Sequence, residues 1–331
     1  MQRRILLCFL LSTILALFLF GCNDKESHSL RIGILGGIGP KGPSIAGFIK
    51  GMSDAGYVEG ENVDYDIRTP DFDLDAHREI LSEFIDDDVD LIFVYPTETA
   101  LIAREMTRNT GIPMIFSISF TENNDLIDSL ISPGEGITGV RHPGVDIIAK
   151  RYEVFRILMP EMKSLGFIYQ RGGALIEEQL DMIRKTTQLD HVNLIELPSD
   201  TPESLVQLLK EQMATGTAEF DALLLPVGAI GGDPAVFSYL NELSDLYNIP
   251  FGGQFFGNLP GNSLFRVEIN YYDSGLLAAS LAAKVLQGTP AGNLPVLSSN
   301  LFLTINYIQT EKMGIEVPQW LLLESDEIVS E

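Results

Sequence analysis

One short stretch, Asp90-Leu91-Ile92-Phe93-Val94-Tyr95-Pro96, predicts a buried β-strand that ends in a proline-containing turn. A helix-forming segment and the turn Gly111-Ile112-Pro113 come next. A second stretch, Asp221-Ala222-Leu223-Leu224-Leu225-Pro226, is followed in the same order by a helix and by Asn248-Ile249-Pro250. The repeat favours two similar lobes, although two unrelated βαβ units would also match by chance.

The same alternation extends along the chain in both directions. Short apolar runs predict strands at 31–35, 63–68, 91–94, 114–116 and 137–140, and again at 165–169, 193–197, 222–225, 250–253, 264–269 and 301–305. Amphipathic segments between most of these runs predict helices. Apolar runs without polar alternation are typical of parallel strands that are covered on both faces, so the predicted fold class is α/β with parallel sheets.

Composition limits the classes of site and partner. The chain has 331 residues, 45% hydrophobic content and a formal net charge of −24. Such a negative surface repels phosphate backbones, which argues against a nucleic-acid partner. Both cysteines, Cys8 and Cys22, lie near the N-terminus, so we expect neither a disulfide nor a thiolate zinc site in the folded domain. We expect no metal and no cofactor.

The N-terminus has the pattern of an export signal. Two arginines precede an apolar run over 5–20, and a glycine precedes Cys22. The pattern resembles a bacterial lipoprotein signal, in which the cysteine is lipidated. As a helix, the run would span about 24 Å, short of the ~30 Å hydrocarbon core, which argues against a transmembrane anchor. We predict a signal peptide at 1–21, a tether at 22–29, and an exported protein that is lipid-anchored at Cys22 on the periplasmic or cell-surface side.

The motif Gly37-Ile38-Gly39-Pro40-Lys41-Gly42 follows a strand and opens a helix, as a dinucleotide-binding turn does. Asp66 stands about where an acid would bind ribose. An NAD-dependent oxidoreductase is therefore an alternative. Export of the chain argues against it, and Pro40 removes a backbone N–H donor that would hold a pyrophosphate. A tight turn that approaches a smaller ligand explains the glycines better.

No catalytic set is evident in the sequence. The histidines are His28, His77, His142 and His191, and of these His142 falls at an expected lobe boundary. The sequence has neither a G-x-S-x-G elbow nor an H-E-x-x-H motif, and no cysteine nucleophile in the domain after the signal. We therefore expect that the protein is not an enzyme.

Three segments together resemble a known family. Ser129-Leu130-Ile131-Ser132-Pro133-Gly134-Glu135-Gly136-Ile137-Thr138-Gly139-Val140 is similar to S-L-x-x-P-G-G-N-I-T-G-V, and Asn270-Tyr271-Tyr272-Asp273-Ser274-Gly275 to a D-Y-Y-x-x-G helix start. The closing stretch 304–328 resembles I-N-x-x-T-A-x-x-L-G-L-x-I-P followed by L-L and A-D-E-V-I. These patterns belong to ABC transporter substrate-binding lipoproteins, whose better-known members bind aromatic amino acids. The likeness runs over most of the chain.

The resemblance implies the type I periplasmic-binding fold, in which two Rossmann-like lobes are joined by hinge crossings and ligand lies between them. Crossings are expected near 140–143, 268–270 and 304–306. The first lobe would take 30–141 plus 270–303, and the second 142–269 plus 304–331.

The implied function is an extracytoplasmic receptor that captures a small molecule by hinge closure and delivers it to an ABC importer. A ligand-sensing module for a membrane kinase or chemoreceptor, with the same fold, is the alternative. The expected partners of this monomer are its ligand, an ABC permease, and a membrane through the lipid anchor.

The sequence departs from the family pattern where ligand identity is set. Tyr169-Gln170-Arg171-Gly172-Gly173 stands where the family often has Y-N-P-x-E, and Val227-Gly228-Ala229 where it often has a D-N pair. Phe120-Thr121 replaces the usual D-P. Groups that would hold the ammonium and carboxylate of an amino acid are therefore largely absent from those positions. The ligand is expected to be amino-acid-like or another small polar or aromatic solute.

Ligand contacts are expected at strand ends that face the cleft between the lobes. In the first lobe these are Ile38, Gly39, Pro40, Pro96, Thr97, Glu98, Ser117 and Ser119; in the second they are Tyr169, Gln170, Gly228, Ala229, Gln254 and Phe255, with Tyr271 near the hinge. Glu98 would either anchor an ammonium group or complement the start of its helix.

Overall fold

The computed structural model describes residues 29–36, 42–70, 73–173, 175–214 and 216–330. Within them the chain forms two β-sheets with accompanying helices. Residues 1–28, with the predicted signal peptide and Cys22, lie outside the described residues, and so do Ile38, Gly39 and Pro40.

The first lobe is built on a parallel sheet. Its strands are β1 (Leu30–Gly36), β2 (Val63–Arg68), β3 (Leu91–Tyr95), β4 (Met114–Ser119), β5 (Ile137–Arg141) and β11 (Leu297–Ser298), in the spatial order β11-β5-β4-β3-β1-β2. Its helices are α1 (Pro43–Asp54), α2 (Leu74–Asp86), α3 (Thr97–Thr107) and α8 (Tyr271–Leu286). Because β3 is buried on both faces, its sequence is a continuous apolar run.

Helices α1 and α8 approach each other closely at two glycines. A Cβ on Gly47 would lie 2.0 Å from the carbonyl oxygen of Tyr272, and one on Gly275 would lie 2.1 Å from that of Ser44. The ring of Phe48, on α1, stacks on Phe93 of the sheet with centroids 4.1 Å apart. This packing joins the N-terminal end of α8 to the first lobe.

The second lobe is built on a mixed sheet. Its strands are β6 (Ser164–Gln170), β7 (Asn193–Ser199), β8 (Ala222–Leu224), β9 (Phe251–Gly253), β10 (Ser263–Ile269), β12 (Leu301–Asn306) and β13 (Glu327–Val329), in the order β13-β12-β10-β9-β8-β6-β7. Its helices are α4 (Gly144–Leu158), α5 (Ile176–Leu189), α6 (Pro202–Gln212), α7 (Pro234–Tyr247), α9 (Tyr307–Lys312) and α10 (Gln319–Glu324). The antiparallel pair of β10 and β12 departs from the parallel sheet that the sequence predicts.

In the described part of the chain, three connections join the lobes: β5 to α4, β10 to α8, and β11 to β12. The third lies at 299–300 and not at 304–306, because β12 begins at Leu301 and pairs with β10 along its length. Residues 301–303, expected in the first lobe, therefore belong to the second sheet. The hydroxyl of Ser274, in the first turn of α8, lies 2.8 Å from that of Ser299 in the third connection.

No helix among the described residues is long and apolar enough to cross a bilayer. The same residues contain no group of three His, Cys, Asp or Glu side chains placed to hold a metal ion.

Candidate functional site

A cavity of about 210 Å³ lies where the connections meet the carboxyl ends of the two sheets. Phe120 follows β4, His142 lies in the first connection, and Tyr271 begins α8. The second lobe contributes Ile147, Arg151, Val227, Gly228, Gln254 and Glu268. Ligands of open α/β sheets bind at this edge. Its position, with walls from both lobes, makes this cavity the candidate site.

A larger and more open groove of about 530 Å³ lies elsewhere on the molecule. Its walls are Met159, Pro160, Glu161, Met162, Lys163, Asp221, Asn248, Pro250, Met313 and Ile315. Several of these residues directly precede β6, β8 and β9, so the groove lies at the amino edge of the second sheet. It is remote from the first lobe, and hinge closure would not enclose a ligand there.

Arg151, on α4, gives the cavity a buried positive charge. It is 3% exposed. Its guanidinium donates to the carbonyl oxygens of Leu225 at 3.0 Å and Pro226 at 2.6 Å, and twice to that of Val267 at 3.0 and 2.9 Å. Burial lowers the pKa of Arg151 to about 10, and nearby Glu268 opposes this shift. The group is therefore charged at neutral pH.

His142 is a neutral imidazole at the first connection. Burial lowers its pKa to about 4, and the charges of Arg151 and Arg141 add to this effect. Its ring meets that of Phe120 edge-on, with centroids 4.9 Å apart. Among the described residues, none hydrogen-bonds the buried Nδ1 atom. The imidazole thus lines the cavity as an uncharged group.

Glu268 gives the cavity its negative charge. Its Oε1 lies 3.3 Å from Nη1 of Arg266, and its side chain is 34% exposed. Partial burial raises the pKa of Glu268, while Arg266 and Arg151 oppose that change. Tyr271, 40% exposed, adds aromatic surface beside Phe120. The cavity therefore combines one cation, one carboxyl group and aromatic walls.

A second compartment of about 180 Å³ adjoins this cavity. Val227 and Gly228 line both spaces, and φ of Gly228 is 149°, which favours glycine. The other walls of the second compartment are mostly apolar: Gln170, Gly173, Ile176, Pro226, Ala229 and Ile230. The cleft surface of the second lobe thus has a polar part and an apolar part.

The predicted second-lobe contacts fall into two groups. Gln170, Gly228, Ala229 and Gln254 line one or both compartments, and Tyr271 joins them from the hinge. Tyr169 instead donates from its hydroxyl to Oε2 of Glu196 at 3.2 Å. Phe255 is 3% exposed, with the Arg266 guanidinium 5.1 Å from its ring centroid. These two side chains pack within the second lobe.

The predicted first-lobe contacts that belong to the described residues are Pro96, Thr97, Glu98, Ser117 and Ser119, and none of these five is a wall residue of the cavity. Oγ1 of Thr97 accepts from the backbone N–H of Phe120 at 3.0 Å, so Thr97 positions an aromatic wall residue. The Ser117 and Ser119 side chains are buried, and Ser119 Oγ donates to the carbonyl oxygen of Ser117 at 3.0 Å. Pro96 precedes α3, and Glu98 is exposed in its first turn.

Residues 42–221 match the model of a family described as ABC transporter substrate binding protein. The chain belongs to this family. The substrate-binding protein is 27% identical over 254 residues to a "Tyrosine-binding protein" of Clostridioides difficile (strain R20291); the alignment covers 76% of this chain and 70% of that protein.

Solved structures share the two-lobed fold of this substrate-binding protein. The ligand-free, open form of a substrate-binding protein with adhesive properties from Clostridium difficile has a TM-score of 0.74 and 23% identity. An ABC domain from Streptococcus pneumonia in complex with L-Trp has a TM-score of 0.69 and 18% identity. Each comparison covers 91% of this chain and 99% of the other. The fold is that of the type I periplasmic-binding proteins.

Six residues that line the cavity of this substrate-binding protein were not predicted as contacts: Phe120, His142, Ile147, Arg151, Val227 and Glu268. Glu268 lies at an expected hinge crossing and His142 at an expected lobe boundary. Their positions in the sequence could therefore have predicted that they line the cleft. Arg151 had no such signal, because a single arginine in an amphipathic helix is typical of a solvated face. The sequence analysis identified Phe120 as a departure from the family pattern, but it did not predict that Phe120 lines the cavity.

Proposed function

We propose that the protein captures a small zwitterionic solute of the amino-acid type between its lobes and delivers it to the permease of an ABC importer. The observation that carries this proposal is the presence of Arg151 and Glu268 in one cavity at the hinge. A cation and a carboxylate complement the carboxylate and ammonium groups of one ligand. Phe120 and Tyr271 offer surface to its carbon skeleton.

Two relatives support this ligand class. One is named for binding tyrosine, and another was solved with L-Trp. This chain lacks much of the expected polar pattern at its strand ends, so Arg151 and Glu268 would take over the recognition of charge. We therefore propose the same class of ligand as for these relatives, bound by different residues.

Hinge closure supplies the mechanism. Phe120 and Tyr271 belong to the first lobe, whereas Arg151 and Glu268 belong to the second. A ligand that contacts both sets binds the closed arrangement better and shifts the population towards it. Closure also removes water from around the two charges, which strengthens their interaction with the ligand.

We further propose that the protein is an exported monomer, anchored through a lipid on Cys22 beside its permease. Mass spectrometry of the cell-derived protein tests for acyl chains on that cysteine, and light scattering tests the monomer. Loss of ligand uptake on deletion of the gene supports transport. Unchanged uptake with loss of a ligand response would favour the sensing alternative.

A thermal-shift panel on the full chain tests the ligand class. L-Tyrosine, L-tryptophan, L-phenylalanine and L-leucine are compared with tyramine, which lacks the carboxylate, and with N-acetyl-L-tyrosine, which lacks the ammonium group. A ligand at a hundred times its Kd stabilises the fold by about 2.7 kcal/mol. We expect at least one parent amino acid to raise Tm and the two modified compounds to fail. No shift with any amino acid contradicts the proposal.

A further inference from the structure

Val227 is held by a buried side chain from another element. Gln179, on α5, is fully buried. Its Nε2 donates to the carbonyl oxygen of Val227 at 2.9 Å, and its Oε1 accepts from the backbone N–H of Val227 at 2.7 Å. A buried amide is costly unless it is hydrogen-bonded, and here both of its ends bond to the backbone of one residue. The amide therefore fixes Val227 as a neighbouring strand would.

The segment just before Val227 is held from another helix. Arg151 donates to the carbonyl oxygens of Leu225 and Pro226. Strand β8 ends at Leu224, and beyond it the N–H of Leu225 donates to the carbonyl of Gly252 at 3.0 Å. The buried side chains of Arg151 and Gln179 thus hold the backbone beyond the end of β8 in place as far as Val227.

This held segment divides the cleft surface. On one side lie the charged and aromatic groups of the 210 Å³ cavity, and on the other lies the apolar compartment of about 180 Å³. An aliphatic-lined cavity of about 150 Å³ is large enough to bind benzene. The apolar compartment therefore has room for one six-membered ring or a branched aliphatic group.

We propose that Gln179 is a positioning residue for ligand selection: it holds Val227 so that a polar head group and one compact apolar group are received in separate compartments. The inference rests on the proposed function, because that function places the ligand at this cleft. It adds that Gln179 maintains the separation between the polar cavity and the apolar compartment. Without the hydrogen bonds from Gln179 to Val227, the segment relaxes and the apolar compartment loses its shape.

Benzene is a probe for the apolar compartment that does not depend on the natural ligand. Methyl NMR of the full chain would follow Ile176, Ala229 and Ile230 during a benzene titration. We expect these methyl signals to move together and to give one Kd. In Gln179→Met, which keeps side-chain length but loses the hydrogen bonds to Val227, we expect that Kd to rise about tenfold and the Val227 amide to exchange faster with solvent.

Two further variants separate positioning from general loss of stability. Thr187→Val removes another buried hydrogen bond of α5, from Oγ1 to the carbonyl of Ile183, and should leave the benzene Kd unchanged. Ala229→Met fills the compartment from an exposed position and should abolish benzene binding without preventing folding. If Gln179→Met does not fold, Ala229→Met still tests whether benzene binds in the apolar compartment.

The inference is overturned if the three methyl signals of the wild-type protein do not move when benzene is added. It is also overturned if Gln179→Met folds and binds benzene with the wild-type Kd. Unchanged benzene binding in Ala229→Met would overturn it equally. The proposed function fails separately, if no amino acid shifts Tm while benzene still binds. Amino-acid binding without benzene binding would leave the proposed function standing and remove this inference.

Discussion

Nη2 of Arg141, at the end of β5, lies 2.6 Å from Oδ2 of Asp146, in the first turn of α4. The ion pair spans the first connection between the lobes. Nη1 of the same arginine donates to Oε1 of Glu122 at 3.1 Å, in the loop that follows β4. Arg141 therefore links a first-lobe loop to a second-lobe helix, and it borders the connection that carries His142.

Replacing Arg141 should weaken this link. We expect Arg141→Met to lower the free energy of unfolding by about 1 kcal/mol, because its side chain is 18% exposed and such pairs are partly screened by water. Urea unfolding measures the change. Lys150→Met, which removes an exposed pair with Glu153 on the same α4, is the control and should change stability by less. Equal losses in both variants would count against a special role for Arg141.

Helix packing in the first lobe gives a second prediction. Gly275→Ala should cost about 1–3 kcal/mol or more, because its Cβ would lie 2.1 Å from a backbone oxygen of α1. Chemical denaturation provides the measurement. Ser280→Ala, at an exposed position of α8, is the matched control and should stay within about 0.5 kcal/mol of wild type. A neutral Gly275→Ala would show that the two helices separate easily.

The imidazole of His142 predicts a pH dependence of stability. Its pKa is about 4 in the folded protein, below the ordinary value near 6.5, so the unfolded chain binds the proton more readily. The contribution of neutral His142 to the free energy of unfolding is therefore complete above pH ~6.5, and it is lost as the pH falls towards 4. His142→Asn should lose less stability than wild type over that range, in unfolding titrations at several pH values. Parallel curves for the two proteins would refute this.

The buried guanidinium of Arg151 should not be replaceable by an amine. Arg151→Lys keeps the charge but cannot bond three carbonyl groups with the same planar geometry, so we expect a loss of about 2–3 kcal/mol. Arg78→Lys, at an exposed ion pair with Glu105, is the control and should be within about 0.5 kcal/mol of wild type. Urea midpoints of both variants decide the point, and a wild-type midpoint for Arg151→Lys would contradict the expected role.

Much of the fold was predictable because buried parallel strands leave an unmistakable apolar run. β3 was expected at 91–94 and is Leu91–Tyr95, and β2 was expected at 63–68 and is Val63–Arg68. β11 and β13 were missed, since strands as short as Leu297–Ser298 bury too little to mark the sequence. The antiparallel direction of β12 was also missed, because direction is set by tertiary pairing.

The candidate site was less predictable than the fold. Strand-end position led to Gln170, Gly228 and Gln254, which line the two compartments. The same reasoning led to Tyr169, whose side chain turns towards Glu196 because alternate residues of a strand face opposite sides of the sheet. Arg151 and Gln179 lie on helices, and helical sequence does not reveal which polar residue is buried against a loop.

The central claim is that Arg151 and Glu268 hold the two charges of an amino-acid ligand. Calorimetric titration of the four amino acids into wild type and Glu268→Gln tests it most directly. We predict that at least one amino acid binds wild type and that its Kd rises about tenfold or more in Glu268→Gln, because an ammonium group loses its charged partner. Absence of heat with every amino acid, or an unchanged Kd in Glu268→Gln, would contradict the claim.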